Sequence, residues 1–347
     1  MLWPLLSLRE MTLLVPMKDA RVANLLVMAA GLLSMLFLIP VWQEYFAIGS
    51  WRHDALFYLD TYAGKLSEEG RWINYLLFGE LRQLNPYVSF TLQLASFALF
   101  IFIAARSITR DSAYSACLAA LSLAAAPLYI QLLWPNTSLP AFIVLVLAAL
   151  GRRLFNPWFY FALAGVLFFS TMSHLYFLLP LLFQDQLAAK HSTAAEGLRE
   201  LASRLLAPWV AGYVIGFAVA NAMTALLGDG SGITLAEWRR PVPATNVDQF
   251  LANLQTSFNY LARDLQLFAR QLGWVQLLLI LGLFSHNFFR NTARLQLLIP
   301  LLVIFSLYAS VVPYSVAMSY RTSLTTWAGL VFLLLVPPDV NRLQKAG

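Results

Sequence analysis

PWFYFALAGVLFFSTMSHLYFLLPLLFQDQLAA, residues 157–189, carries a single charged side chain, Asp185. Two apolar runs, 157–170 and 175–189, are separated only by Thr171-Met172-Ser173-His174. Neither run offers a polar face to water, so the pair reads as two membrane spans joined by a tight turn. Working outward, further apolar runs lie at 22–42, 87–105, 112–133, 138–151, 206–227, 272–287, 295–312 and 321–337. A span needs about 17–25 apolar residues, and on that measure the chain has about ten. The run 22–42 is too long for a secretory leader and lacks a small-residue cleavage site.

Composition agrees. Of 347 residues, 60% are hydrophobic and 12% charged, against about a quarter charged in soluble domains. That excludes a water-soluble enzyme, a disordered chain and a disulfide scaffold. The one cysteine, Cys117, sits in an apolar run and can form neither an intrachain disulfide nor a cysteine-rich metal site. The net charge of +6 is scattered between apolar runs, which argues against nucleic acid as a partner and for anionic lipid. Aromatic residues, at 14%, suit interfacial anchoring. The expected fold is all-α: a single membrane-embedded domain over 1–347.

Basic residues set the orientation. With both termini cytoplasmic, 14 of the 23 Lys and Arg lie inside and 9 outside. The short inside loops RSITR, GRR and FFRNTAR are all basic, as the positive-inside rule expects. Two long outer loops remain, about 43–86 and 228–271. Both are rich in Trp, Tyr, Phe and Leu. LFYLDTYAGKL, RWINYLLFGEL and VDQFLANLQTSFNYLARDLQLFARQLGW place apolar residues at helical spacing between charges, the pattern of amphipathic helices on a membrane surface. Dinucleotide, Walker and HExxH motifs are absent.

The densest polar cluster is the first outer loop. Asp54 follows Trp51, an interfacial anchor, and so falls at the outer membrane boundary. A carboxylate there can act as a general base toward a surface or lipid-linked substrate. Asp60 and Glu69 share the same aromatic stretch, with Arg71 just behind. The plainer reading of Arg71 is a salt bridge with Glu68 or Glu69. His174, with Tyr176 close by, stands at the turn of the 157–189 pair and is either structural or turned to the cavity. Arg239 and Arg240, beside Trp238, suit sugar stacking and phosphate contact, or contact with lipid headgroups. Arg321, next to Tyr320, enters an apolar span at its outer end, where a charge is costly unless it pairs, works or snorkels. His53, Asp54, Asp60 and Glu69 match no metal motif, and neither a metal nor a cofactor is expected.

The element H-D-A-L-F-Y-L-D (53–60) followed by E-E-G-R-W (68–72), after one span, resembles the serotype-converting O-antigen glucosyltransferase (Gtr-type) family, part of the GT-C class of membrane glycosyltransferases. Asp54 falls on the family's first Asp, Glu69 on the Asp before Gly, and Gly70-Arg71 on Gly-Arg. Ala55 stands where a second Asp is common, Tyr58 where an Arg is common, and Trp72 replaces a Pro. P-N-T-S (135–138), S-H-L-Y (173–176) and S-Y-R (319–321) fall where the family has polar or basic elements.

The resemblance implies transfer of a hexose from a polyprenyl-phosphate donor to a lipid-linked or surface glycan such as O-antigen, on the outer side of a bacterial inner membrane. Flippase and donor-synthase partners would accompany it. Asp54 would be the base, with Asp60 its nearest substitute. Glu69, Arg71, His174, Tyr176, Arg239, Arg240, Tyr320 and Arg321 would bind substrate. Arginine suits the anionic leaving group because its planar fork binds phosphate oxygens in pairs. Three rivals stay open: an O-antigen polymerase or ligase relying on arginines of later loops (Arg239, Arg240, Arg263), a polysaccharide or lipid transporter, and a non-enzymatic membrane scaffold that would tolerate changes to Asp54 and Arg321 alike. A transporter predicts ionisable groups at mid-span, where this chain has almost none.

Overall fold

The computed structural model describes residues 62–109, 111–131, 134–188, 194–265 and 297–335, with isolated helical positions between 29 and 47. Among them every regular element is helical. Three short helices come first: α1 (Ala63–Glu69), α2 (Trp72–Leu76) and α3 (Phe78–Gln83). Then follow α4 (Pro86–Thr109), α5 (Ser112–Ser122), α6 (Ala126–Gln131), α7 (Pro135–Gly151) and α8 (Pro157–Phe169). A 3₁₀ helix, Ser173–Ala188, precedes α9 (Ala194–Leu201), which runs through a π turn (Ala202–Leu206) into α10 (Ala207–Leu227). The last three are α11 (Val247–Leu265), α12 (Leu298–Val311) and α13 (Leu324–Leu335).

Local sequence explains where the helices start. Pro86, Pro135 and Pro157 open theirs, positions where a missing N–H costs nothing. Asn156 and Asp111 cap the starts of α8 and α5 by accepting from the backbone N–H of Phe159 and Tyr114, both at 3.0 Å. The run expected as one span over 112–133 is interrupted. Residues before a proline resist the α conformation, and the chain turns at 123–125 before α6 takes up Pro127.

Among the described residues, two helices are long and apolar enough to cross a membrane: Pro86–Thr109 and the continuous stretch Ala195–Leu227. Only 22% of the apolar part of the second is buried inside the protein, so most of its apolar surface faces outward. Five shorter apolar helices accompany them. The expected spans 22–42 and 272–287 lie outside the described residues, apart from isolated positions in the first. One of these, Trp42, donates its indole N–H to the Tyr129 hydroxyl at 3.0 Å.

The core is built around the 3₁₀ helix, where the span 175–189 was expected. At about 2.0 Å per residue its 16 residues cover roughly 32 Å, the reach of an α-helix of about 21. Such runs are uncommon, and this one is enclosed: Leu175, Tyr176, Leu178, Leu179, Leu181 and Leu182 are all fully buried. Helices α4, α7, α8, α12 and α13 pack against it.

The most extensive helix pairing is between α8 and α10. Gly165 meets Gly212 and Gly216, and a Cβ added at any of the three would overlap backbone of the facing helix. Gly212 and Gly216 form a small-xxx-small pair that lets two backbones touch.

The connections gather at two ends. One end holds α1–α3, the start of α7, and the segments 228–246 and 312–320. At the other, Arg152 forms an ion pair with Asp185, and the Tyr114 hydroxyl donates to the Leu335 carbonyl. Replacing Gly212 by Leu is expected to lower stability by about 3 kcal/mol, the upper range for overpacking. Gly79→Ala, at a helical position with open space around it, is expected to be neutral or stabilising by up to about 1 kcal/mol. Thermal unfolding of the purified variants checks both.

Candidate functional site

The Glu69-Gly70-Arg71 element sits at the end of α1. Gly70 ends that helix in the left-handed conformation (φ 69°), its N–H donating to the Leu66 carbonyl at 2.9 Å. A side chain there would be strained and would also strike Ile233 and Ala220. The tight cap lets the flanking residues turn toward one point. The Glu69 carboxylate is 8% exposed. Lys65 Nζ and Arg239 Nη2 each lie 2.6 Å from its Oε1, and Arg71 pairs with its Oε2. Arg71 also donates to the Tyr62 hydroxyl at 3.3 Å.

Burial alone would raise the Glu69 pKa, but the charges of Arg71, Arg239 and Lys65 overcome it and hold the carboxyl well below its usual range. Burial lowers the pKa of Lys65, against the pull of Glu69. A carboxylate so stabilised is a weak base. Its chemistry is to gather cations.

Backbone bonds bring the other loops to the same place. Thr234 N–H donates to the Ser67 carbonyl (2.8 Å), Ala317 N–H to Arg239 (2.9 Å), Val242 N–H to Tyr314 (2.7 Å) and Ala244 N–H to Pro313 (2.8 Å). Segment 228–246 thus lies between the first loop and the late segment 312–320. Below them, Asn74 is fully buried and donates to the Thr137 carbonyl at 2.7 Å, and Gln93 donates to Pro135 at 2.5 Å. P-N-T-S therefore serves as the seat on which α2 rests.

A second polar knot fastens α11. Asp264 is fully buried. It accepts from Arg263 Nε at 2.8 Å and from the Tyr308 hydroxyl at 2.9 Å, and that hydroxyl lies 2.8 Å from Thr326 Oγ1. Burial raises the Asp264 pKa, with Arg263 and Tyr308 pulling it back. Arg263 also donates to the Met318 carbonyl at 3.2 Å.

Of the expected site residues, the structure brings Glu69, Arg71 and Arg239 together. Arg240 lies beside them in the chain, left-handed (φ 45°) and exposed, so the two arginines diverge. His174 is buried at the start of the 3₁₀ helix. Tyr176 is in the core, stacked on Trp209 and donating to the Trp209 carbonyl at 2.6 Å. Of Tyr320 and Arg321 the backbone is described, as a 3₁₀ turn leading into α13. Asp54 and Asp60 lie outside the described residues. Lys65, Tyr62 and Asp264 were not anticipated. The i,i+4 spacing of Lys65 and Glu69 could have flagged the first; nothing local marks the other two.

No protein-family model, curated protein or solved structure matches the chain.

Because the folded pKa of Glu69 lies below its unfolded value, its stabilisation is fully present above about pH 4.3 and is lost as the pH falls toward the folded value. Glu69→Gln is expected to lower stability at pH 7 by about 3 kcal/mol, since it strands buried cations. The gap from the wild type should narrow progressively below about pH 4. Thermal midpoints of both proteins across pH 3–8 check this.

Proposed function

We propose that the chain is a membrane-embedded glycosyltransferase with about ten spans in a bacterial inner membrane and both termini cytoplasmic. It moves a hexose from a polyprenyl-phosphate donor to a hydroxyl of a lipid-linked or surface glycan, such as O-antigen, on the periplasmic side. The observation that carries this reading is the convergence of three loops, far apart in sequence, on one cluster: Glu69 and Arg71 from the first, Arg239 from the second, and segment 312–320 bonded to the Arg239 backbone. An enzyme handling a lipid phosphate needs guanidinium groups held in fixed positions where charge develops on the leaving group. A buried carboxylate that orients two arginines supports that role.

In this mechanism Asp54 takes the proton of the acceptor hydroxyl. The acceptor oxygen bonds to the anomeric carbon as the bond from that carbon to the phosphate oxygen breaks, releasing polyprenyl phosphate. Arg71, Arg239 and Arg321 stabilise the departing charge. Glu69, too weak a base to share the proton transfer, keeps the arginines in place.

Sugar transfer in membranes from a polyprenyl-phosphate hexose tests the proposal. Asp54→Asn is expected to lose about two to four orders of magnitude in rate. Arg239→Lys, which keeps the charge and loses the fork, is expected to lose about a hundredfold. Loss in Asp60→Asn with Asp54→Asn intact would move the base to Asp60. Full transfer in both would take both aspartates out of the chemistry, and no transfer by the wild type would sink the glycosyltransferase reading and favour a polymerase or ligase.

Sidedness has its own test, in a Cys117→Ser background. Glu80→Cys, exposed on α3, should react with a membrane-impermeant thiol reagent from outside, and Asn291→Cys should not. Labelling of position 291 alone would invert the topology.

A further inference from the structure

The end of the molecule opposite the Glu69 cluster carries a cavity. Helices α8 and α10 run in the same direction from that end and touch backbone to backbone where Gly165 meets Gly212 and Gly216. Eight residues before that contact on each helix, about 12 Å along the axis, the chain reaches Pro157 on one side and Arg204 on the other. There the helices stand apart around a cavity of about 540 Å³ lined by Pro157, Trp158, Ser203 and Arg204. The wall on the α10 side is the π turn Ala202–Leu206, the kind of local widening that recurs at functional sites.

The lining is mixed in a particular way. Arg204 is 68% exposed, with one guanidinium nitrogen 2.9 Å from Glu200; the planar fork has further N–H donors. Trp158 is 56% exposed, an indole with an apolar body and a polar N–H of the type that settles at headgroup level. Beside the cavity, exposed apolar side chains cover the outward faces of both helices, turned away from the glycine contact: Phe159 and Leu163 on α8, Val210 and Val214 on α10. A cation and an indole lining one cavity, with exposed apolar surface beside them, complement a molecule with an anionic head and a hydrocarbon body.

The geometry points to a binding site for an anionic phospholipid, its phosphodiester on Arg204 and Trp158 and its acyl region against the exposed apolar surface beside the cavity. The site is separate from the Glu69 cluster and independent of the enzymatic reading. Arg153, 78% exposed on the same end, adds to the positive field there without lining the cavity.

The test adds defined lipids to the detergent-purified full chain and reads the thermal midpoint, with native mass spectrometry counting retained lipids. Phosphatidylglycerol at about a hundred times its Kd is expected to raise the wild-type midpoint by roughly 4 °C; phosphatidylcholine should not. The shift and the retained lipid should be lost in the Trp158→Ala, Arg204→Ala double variant and persist in Arg153→Ala. Glu200→Gln, which removes the ion pair but keeps Arg204, should retain the shift, separating lipid recognition from the helix salt bridge. An undiminished shift in the double variant, or equal shifts with the two lipids, would overturn the proposal. So would an equal shift with glycerol phosphate alone, which would make the cavity a site for a soluble anion.

Discussion

A carboxylate taken out of water must be neutralised where it sits, or the penalty of several kcal/mol unfolds its surroundings. Glu69 meets that condition with three cations, and only one of them, Lys65, is on its own helix. Arg71 reaches back across the left-handed Gly70 cap, and Arg239 comes from a segment about 170 residues along the chain. The first loop cannot seat its acid without the second, and the second is bonded through the Arg239 carbonyl to the late segment 312–320. One buried charge thus ties three connections into a single end-piece.

The end-piece rests on a foundation that is polar as well as apolar. Asn74, Gln93 and Ser138 are buried without exposure. Asn74 and Gln93 bond to backbone at the start of α7, and Ser138 donates to Gln93 Oε1 at 2.5 Å. Asp264, Tyr308 and Thr326 form the matching joint between α11, α12 and α13. Directional bonds fix position in a way apolar contact does not, and both joints lie beneath the loops where positions matter most. The middle of the molecule is held differently, by an enclosed 3₁₀ helix and by a glycine crossing that brings α8 and α10 into backbone contact.

The two ends therefore differ in kind. At one, charge is internalised and gathers loops. At the other, Arg204 and Arg153 are largely exposed, and the one internalised charge, Arg152, pairs with the part-exposed Asp185 to close the turn between α7 and α8 onto the 3₁₀ helix.

The class of structure follows from the amino-acid order alone. Apolar runs with charges only at their ends have one solution, helices that satisfy their own backbone, and the prolines, Asn156 and Asp111 mark where several begin. That order also pointed to Glu69-Gly70-Arg71 and Arg239 as residues worth naming, and admitted the ion pair between Arg71 and Glu69 as one outcome. Tertiary structure decided the rest. That Arg239 rather than Arg240 meets Glu69 depends on a left-handed turn at Arg240, and adjacent arginines look alike in a sequence. Tyr176 looks like a polar residue at a turn, yet the close approach of α8 and α10 places it where its hydroxyl can reach only backbone carbonyls. Lys65 becomes a partner, and Asp264 a buried joint, only when elements distant in the chain close over them. Periodicity and capping act over a few residues and can be read along the chain; charge burial depends on which surfaces meet, and that is fixed only when the helices pack.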